Sequence, residues 1–133
     1  MSQQNVEIVR AVCDAFSRGD FEASLAGLDP AVEMVGPPDL TASGSASHGH
    51  ESTSQFMGTF LNSWDDYFYD VSNLIDGGDK VLVEGSQGGR GRESGVAVSE
   101  PIYTVFTVRA GKVIRVQILR DRSAALEAAG LPE

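Results

Sequence analysis

The sequence predicts an α+β domain, three helices packed against a curved, mostly antiparallel sheet. Three observations carry this. Apolar residues recur at three- and four-residue intervals at Val6, Val9, Val12, Cys13 and Phe16, and again at Phe56, Met57, Phe60, Leu61 and Trp64. After Asp65-Asp66 the spacing changes to β-branched runs separated by DGGD, GGRGRESG and RAGK, the turn chemistry of hairpins. No internal repeat or linker interrupts the 133 residues, so residues 1–133 are expected to form one domain.

The elements follow in order. Ser2 can cap a first helix that Gly19 ends as a left-handed C-terminal residue. Asp20 then caps a short second helix carrying Phe21, Leu25 and Leu28, which Asp29-Pro30 should stop, because proline biases its predecessor away from helix. AVEMVG reads as a strand, and Gly36 to Gly49 as a loop rich in Pro, Ser, Gly and Ala. The third helix starts at His50 and runs to Trp64, its apolar stripe facing a core. YFYDVSNLI, KVLVEGSQ, VAVSEPIYTVFTV and VIRVQILR are four hairpin-linked strands. Asp121 can cap a closing helix over Ser123 to Ala129.

Composition removes several function classes. A formal charge of -9 argues against nucleic acid and against an anionic membrane surface, both of which draw on clustered Lys and Arg. Cys13, the single cysteine, sits among apolar residues and reads as a small packed hydrophobe. MSQQNVEIVR has neither the basic nor the apolar segment of a secretory signal, and no apolar run approaches the ~18 residues of a membrane span, so a cytoplasmic protein is expected. GGRGRESG leads into a strand, whereas phosphate cradles lead into a helix N-terminus; it reads as a hairpin turn exposing Arg90 and Arg92. His48 and His50 have a workable spacing for two metal ligands, but no motif supplies the others, so no metal and no cofactor are expected.

Four segments, in this order, resemble one family: IVRAVCDAFSRGDFEASLAGLDPAVEM, GHES, IDGGDKVLVEG and YTVFTVRAGKVIRVQILRDRSAAL. They are similar to the SnoaL-like branch of the nuclear transport factor 2-like superfamily, relatives of ketosteroid isomerases and polyketide cyclases. The resemblance implies a cone-shaped fold, a pocket between helices and bent sheet, and a homodimer through the sheet's outer face.

That resemblance can be tested for chemistry. Ketosteroid isomerases use an Asp base, plus a Tyr and a protonated Asp that donate to the enolate oxygen. Those positions fall on Met34, Val12, and Thr104 or its neighbour Tyr103. Val12 and Met34 cannot do the work, so this constellation is rejected. An Asp-Arg-Asp trio of the limonene-epoxide hydrolase type has no match either, because Arg120 and Asp121 are adjacent and would face opposite ways in a strand.

What remains is the set of polar groups facing inward. Residues alternate in the long strand, and the isomerase resemblance implies that Val98, Glu100, Ile102, Thr104 and Phe106 take the pocket side and Tyr103 with Val105 the other, with Ile114, Val116, Ile118 and Arg120 on the pocket side of the last strand. Glu100, if buried, would have a raised pKa and serve as acid or base; beside Pro101 it reads equally as a rim carboxylate. Tyr103 can donate to a carbonyl oxygen or pack in a dimer face, and His50 can shuttle a proton near the pocket mouth or simply open a helix. The catalytic candidates are therefore His50, Glu100 and Tyr103. The expected pocket lining is Val12, Phe16, Met34, Phe56, Phe60 and Trp64 from the first half, with Thr104, Val116 and Ile118 from the strands. Such an apolar lining suits a small, largely apolar organic molecule. Three functions fit: a proton-transfer enzyme, a non-catalytic binding module, or a dimerisation domain with a filled pocket.

Overall fold

A computed structural model describes residues 2–36 and 46–132, except the side chains of Ser2, residues 46–48, Phe56 and Phe60. Most of the expected Gly36–Gly49 loop, the capping side chain of Ser2 and the ring of His48 therefore lie outside the described residues. The element order is α1 Ser2–Ser17, α2 Phe21–Ala26, β1 Leu28–Val35, β2 Ala46–His48, α3 Gly49–Asn62, β3 Trp64–Asp76, β4 Lys80–Gly91, β5 Ala97–Arg109, β6 Lys112–Leu119 and α4 Arg122–Ala128. One six-stranded sheet runs β2-β1-β6-β5-β4-β3, antiparallel except where β1 meets β6.

Several boundaries differ from the sequence reading. β4 runs on through Gly91, so half of the expected GGRGRESG turn is strand paired with β5. The second helix ends at Ala26, and β1 begins at Leu28, so Asp29-Pro30 lies within a strand. Proline is tolerated there because the β1–β6 register slips between Leu28 and Glu33, where no ladder amide is required of it. β2 is a short strand inside the expected loop, paired with Glu33 to Val35. Trp64 keeps the helical spacing but opens β3 instead of closing α3. Within β3 the ladder is irregular between Asp65 and Phe68, where Asp66 takes a left-handed φ of 55°. Pro101 also sits in a strand without penalty. β6 pairs β5 only from Tyr103 onward, so β5 is an edge strand at Pro101 and its missing N–H faces no neighbour.

The two faces of the sheet carry separate cores. On the inner face, Val81, Phe106, Val116 and Met34 form one cross-strand row, packed with Val9, Val12 and Cys13 of α1. Helix α1 is pinned at both ends: Asn5 Nδ2 donates to the Gly78 carbonyl at 3.0 Å and Ser17 Oγ to the Tyr69 carbonyl at 2.8 Å. On the outer face Leu82 and Val105 are covered by Ala125 and Leu126 of α4 and by Ala129, its C-cap. That helix takes up the apolar part of the face through which pairing with a second copy was expected.

Helix α4 is latched by charge. Asp121 Oδ2 accepts from the Ala124 amide at 3.0 Å as N-cap, Lys80 Nζ donates to the Ala128 carbonyl at 3.3 Å, and Arg122 Nε donates to Glu84 Oε2 at 2.6 Å. Hydrogen bonding from Arg122 holds the Glu84 carboxyl below its ordinary value of 4.5. A carboxylate lowered in the folded chain stabilises it above the unfolded value and loses that contribution as pH falls through the folded one. Acidification below about pH 4.5 is therefore expected to lower the melting temperature of wild type more than that of Glu84→Gln, as read by circular dichroism. Equal acid sensitivity would show that the latch carries no stability.

Candidate functional site

Between the helices and the inner face of the sheet lies a cavity of about 420 Å³. Cross-strand rows of the inner face run beneath it, and from them Tyr69, Gln87, Ile102, Thr104 and Ile118 border it. One row runs Leu74, Val83, Thr104 and Ile118; the next joins Val71, Gly85 and Ile102; the last joins Tyr69, Gln87 and Glu100. Polarity thus rises along β4 from Val81 towards Gln87. Gly85 is required in the middle row, because a Cβ there would run into the Asp70 carbonyl of β3.

The helices supply the roof. Val12, Cys13 and Phe16 come from one face of α1, Phe21 and Leu25 from α2, and Thr53, Met57 and Leu61 from successive turns of α3. Phe16 meets the ring of Tyr69 edge-on at 5.5 Å and that of Tyr67 at 6.2 Å, and the ring of Phe21 lies tilted against it at 5.5 Å. Helix α3 is set in place by His50, whose Nε2–H donates to the Leu28 carbonyl at 2.8 Å. Gly49 precedes it at φ 86°, a conformation that suits glycine and turns the chain into the helix.

Polar groups in the wall are tied to one another. Tyr67 donates its hydroxyl proton to Gln87 Oε1 at 2.8 Å; Gln87 Nε2 donates to Glu100 Oε1 at 3.3 Å; Arg120 faces Glu100 Oε2 at 3.7 Å. Tyr69 lies beside Cys13 and Thr104, and Ser24 Oγ donates to the Val12 carbonyl at 3.2 Å. Thr53 Oγ1, in a residue only 1% exposed, has no partner among the described residues. Burial pushes the Cys13 thiol up to about 12. Burial also raises both tyrosines, Tyr67 further by the charge of Glu100 and Tyr69 further by Cys13. Among the described lining residues there is no Asp, Glu, His, Lys or Arg.

The structure does not bring the three catalytic candidates together. His50 stands outside the cavity wall with Nε2 committed to Leu28. Glu100 lies on the pocket side of β5 but behind Gln87, its side chain 33% exposed and facing Arg120. Tyr103 is on the opposite face, packed with Leu82 and Leu126 under α4, because it alternates with Ile102 and Thr104. Of the expected lining, Val12, Phe16, Met34, Thr104, Val116 and Ile118 border the cavity. Trp64 does not; it lies 6.3 Å from the Tyr67 ring at the start of β3. The side chains of Phe56 and Phe60 are outside the described residues. Residues aligned with the isomerase set, Val12, Met34 and Thr104, all reach the cavity, two of them with apolar side chains.

Sequence reasoning missed Cys13, Thr53, Tyr67, Tyr69 and Gln87. The signals were present. Tyr67 and Tyr69 are two apart in a strand, Gln87 shares the parity of Val81 and Val83, and Thr53 stands one helical turn before Met57.

A family model described as a SnoaL-like domain matches residues 9–116. Searching the curated proteins gives no match. Among solved structures, a nuclear transport factor 2-like protein from Burkholderia thailandensis superposes with a TM-score of 0.82 at 24% identity, covering 96% of this chain and 98% of that one. A candidate SnoaL-like polyketide cyclase from Jannaschia sp. gives 0.79 at 24% identity, over 99% and 95% of the two chains. TerC, co-crystallised with polyporic acid, gives 0.78 at 25% identity, over 96% and 98%. The helices on a bent sheet are the fold of these nuclear transport factor 2-like structures, and with the family model spanning most of the chain the protein belongs to the SnoaL-like domain family.

Proposed function

We propose that this protein binds a small, neutral, largely apolar organic molecule in the cavity and does no acid–base chemistry on it. The observation that carries this is the wall itself, in which no described side chain ionises near pH 7. A general base must exchange protons near the working pH, and the thiol and both phenols are held too high for that. Glu100 does not fill the gap. It reaches the cavity only through Gln87, and an amide does not relay a proton at neutral pH. At about 420 Å³ the cavity falls in the range of ligand sites and exceeds the water-sized voids that packing leaves, which weighs against a filled dimerisation domain. The crystallisation of TerC with polyporic acid supports a ligand on this scaffold.

Two comparisons test the reading. A neutral bicyclic ketone such as 2-acetylnaphthalene is expected to bind, whereas naphthalene-2-carboxylate binds at least tenfold more weakly, because its charge would be buried without a partner. Val116→Trp, which fills the cavity from the floor, is expected to abolish binding in calorimetry while circular dichroism stays native. Conversion of a bound compound, seen by mass spectrometry, would overturn the non-catalytic reading. Tight binding of the carboxylate would overturn the neutral one.

A further inference from the structure

Two of the hydroxyl groups in this cavity share one feature. Ser24 spends its proton on the Val12 carbonyl and Tyr67 on Gln87. Both donate into the protein and turn lone pairs elsewhere.

For Tyr67 the direction is fixed from outside the cavity. Arg120 faces the Glu100 carboxylate, which accepts only, so the NH2 end of Gln87 must point to Glu100. The amide oxygen is then left facing Tyr67, and only the phenolic proton can make that contact. Gln87 is 7% exposed, so turning the amide round would set its oxygen against a carboxylate with little water to screen them. Thr53 is the buried exception in the wall. Its hydroxyl is buried and unpartnered among the described residues, and it can complete a hydrogen-bonding pair with whatever enters.

We propose that the cavity selects a neutral ligand carrying its own hydrogen-bond donor, an alcohol or phenol, over the corresponding ketone, with Tyr67 and its partner Gln87 setting that preference. This rests on the binding reading above and adds the ligand's polarity to it. A ketone of the same skeleton brings one more acceptor to a wall in which Tyr67 is already turned as an acceptor. An alcohol donates to a phenolic oxygen and can accept from Thr53.

The test uses 1-tetralol and 1-tetralone, which share a ring skeleton, titrated by calorimetry into wild type, Tyr67→Phe and Gln87→Leu. Wild type is expected to bind the alcohol about tenfold more tightly, the worth of one neutral hydrogen bond in a desolvated site. Tyr67→Phe should lose most of that ratio by weakening the alcohol alone. Gln87→Leu frees the phenolic proton and should lose the ratio by strengthening the ketone. A merely structural role would weaken both probes together. Equal or tighter binding of the ketone by wild type overturns the donor preference and leaves the cavity a binding site. A preference that persists in both variants overturns the assignment to Tyr67 and Gln87. If neither probe binds wild type at millimolar concentration, the binding reading fails, and the preference falls with it.

Discussion

Phe106→Ala is expected to cost about 3–5 kcal/mol of stability, the range for truncating a buried aromatic. Phe106 is 6% exposed and occupies the middle of the row Val81, Phe106, Val116 and Met34. Both its neighbours in that row are held by ladder pairing, so the sheet cannot close over the gap. The space on its other side is cavity, so the lost volume adds to a space that already exists and few atoms can move in to replace the contacts. The same geometry predicts a second readout. The enlarged cavity should admit a ligand one ring larger than wild type accepts, and that ligand should return part of the lost melting temperature by mass action. Chemical denaturation of wild type and variant, with and without a tricyclic ketone, checks both points. A loss under about 1 kcal/mol would mean that the site collapses, and the row is not rigid.

The sheet was legible in the sequence because turn chemistry and period-two alternation say the same thing there. DGGD, GGRGRESG and RAGK fall where β3, β4, β5 and β6 reverse, and the inward set Ile102, Thr104 and Phe106 follows from counting by twos. The misplaced boundaries all lie where a local signal is outvoted by pairing. Pro30 has the strength to stop a helix, yet it sits in β1 because the β1–β6 register slips around it. Trp64 fits a helical stripe by spacing, yet it is paired with Gly91 at the start of β3. No single-residue preference announces such a pairing.

The candidate site was less legible, for a different reason. Parity assigns a side chain to a face but not to a depth. Glu100 and Gln87 are cross-strand partners on the same face, yet Gln87 borders the cavity and Glu100 stands behind it with Arg120. Nor does spacing reveal what a helix terminus touches. His50 carries the chemistry of a proton shuttle, and what uses it is the Leu28 carbonyl 22 residues earlier in the chain. A search for ionisable groups therefore passed over the phenols, thiol and amide that make up the polar part of the wall.

Gln87→Glu should reverse the wall's electrical neutrality. The new carboxylate would stand beside Glu100, whose Oε1 is 3.3 Å from the present amide nitrogen, and carboxylates that close do not both ionise without cost. Tyr67 would still donate to it and Arg120 would still face Glu100, so part of the repulsion is offset. A net loss of about 2–3 kcal/mol at pH 7 is expected. The raised carboxyl binds a proton in the folded chain where the unfolded chain has released it. Stability therefore matches wild type in acid, falls as pH rises from about 4.3, the unfolded value for Glu, and levels off above the folded one. Urea denaturation across that range reads the effect, and a pH-independent loss would assign it to packing rather than charge. The variant also puts into the cavity the titrating group that wild type lacks. If that lack is what keeps the wild type from proton chemistry, deuterium exchange at the carbon next to the carbonyl of bound 1-tetralone should rise by ~10-fold or more in the variant and stay at the solution rate in wild type. Exchange already accelerated by wild type would instead place a working base in the native wall.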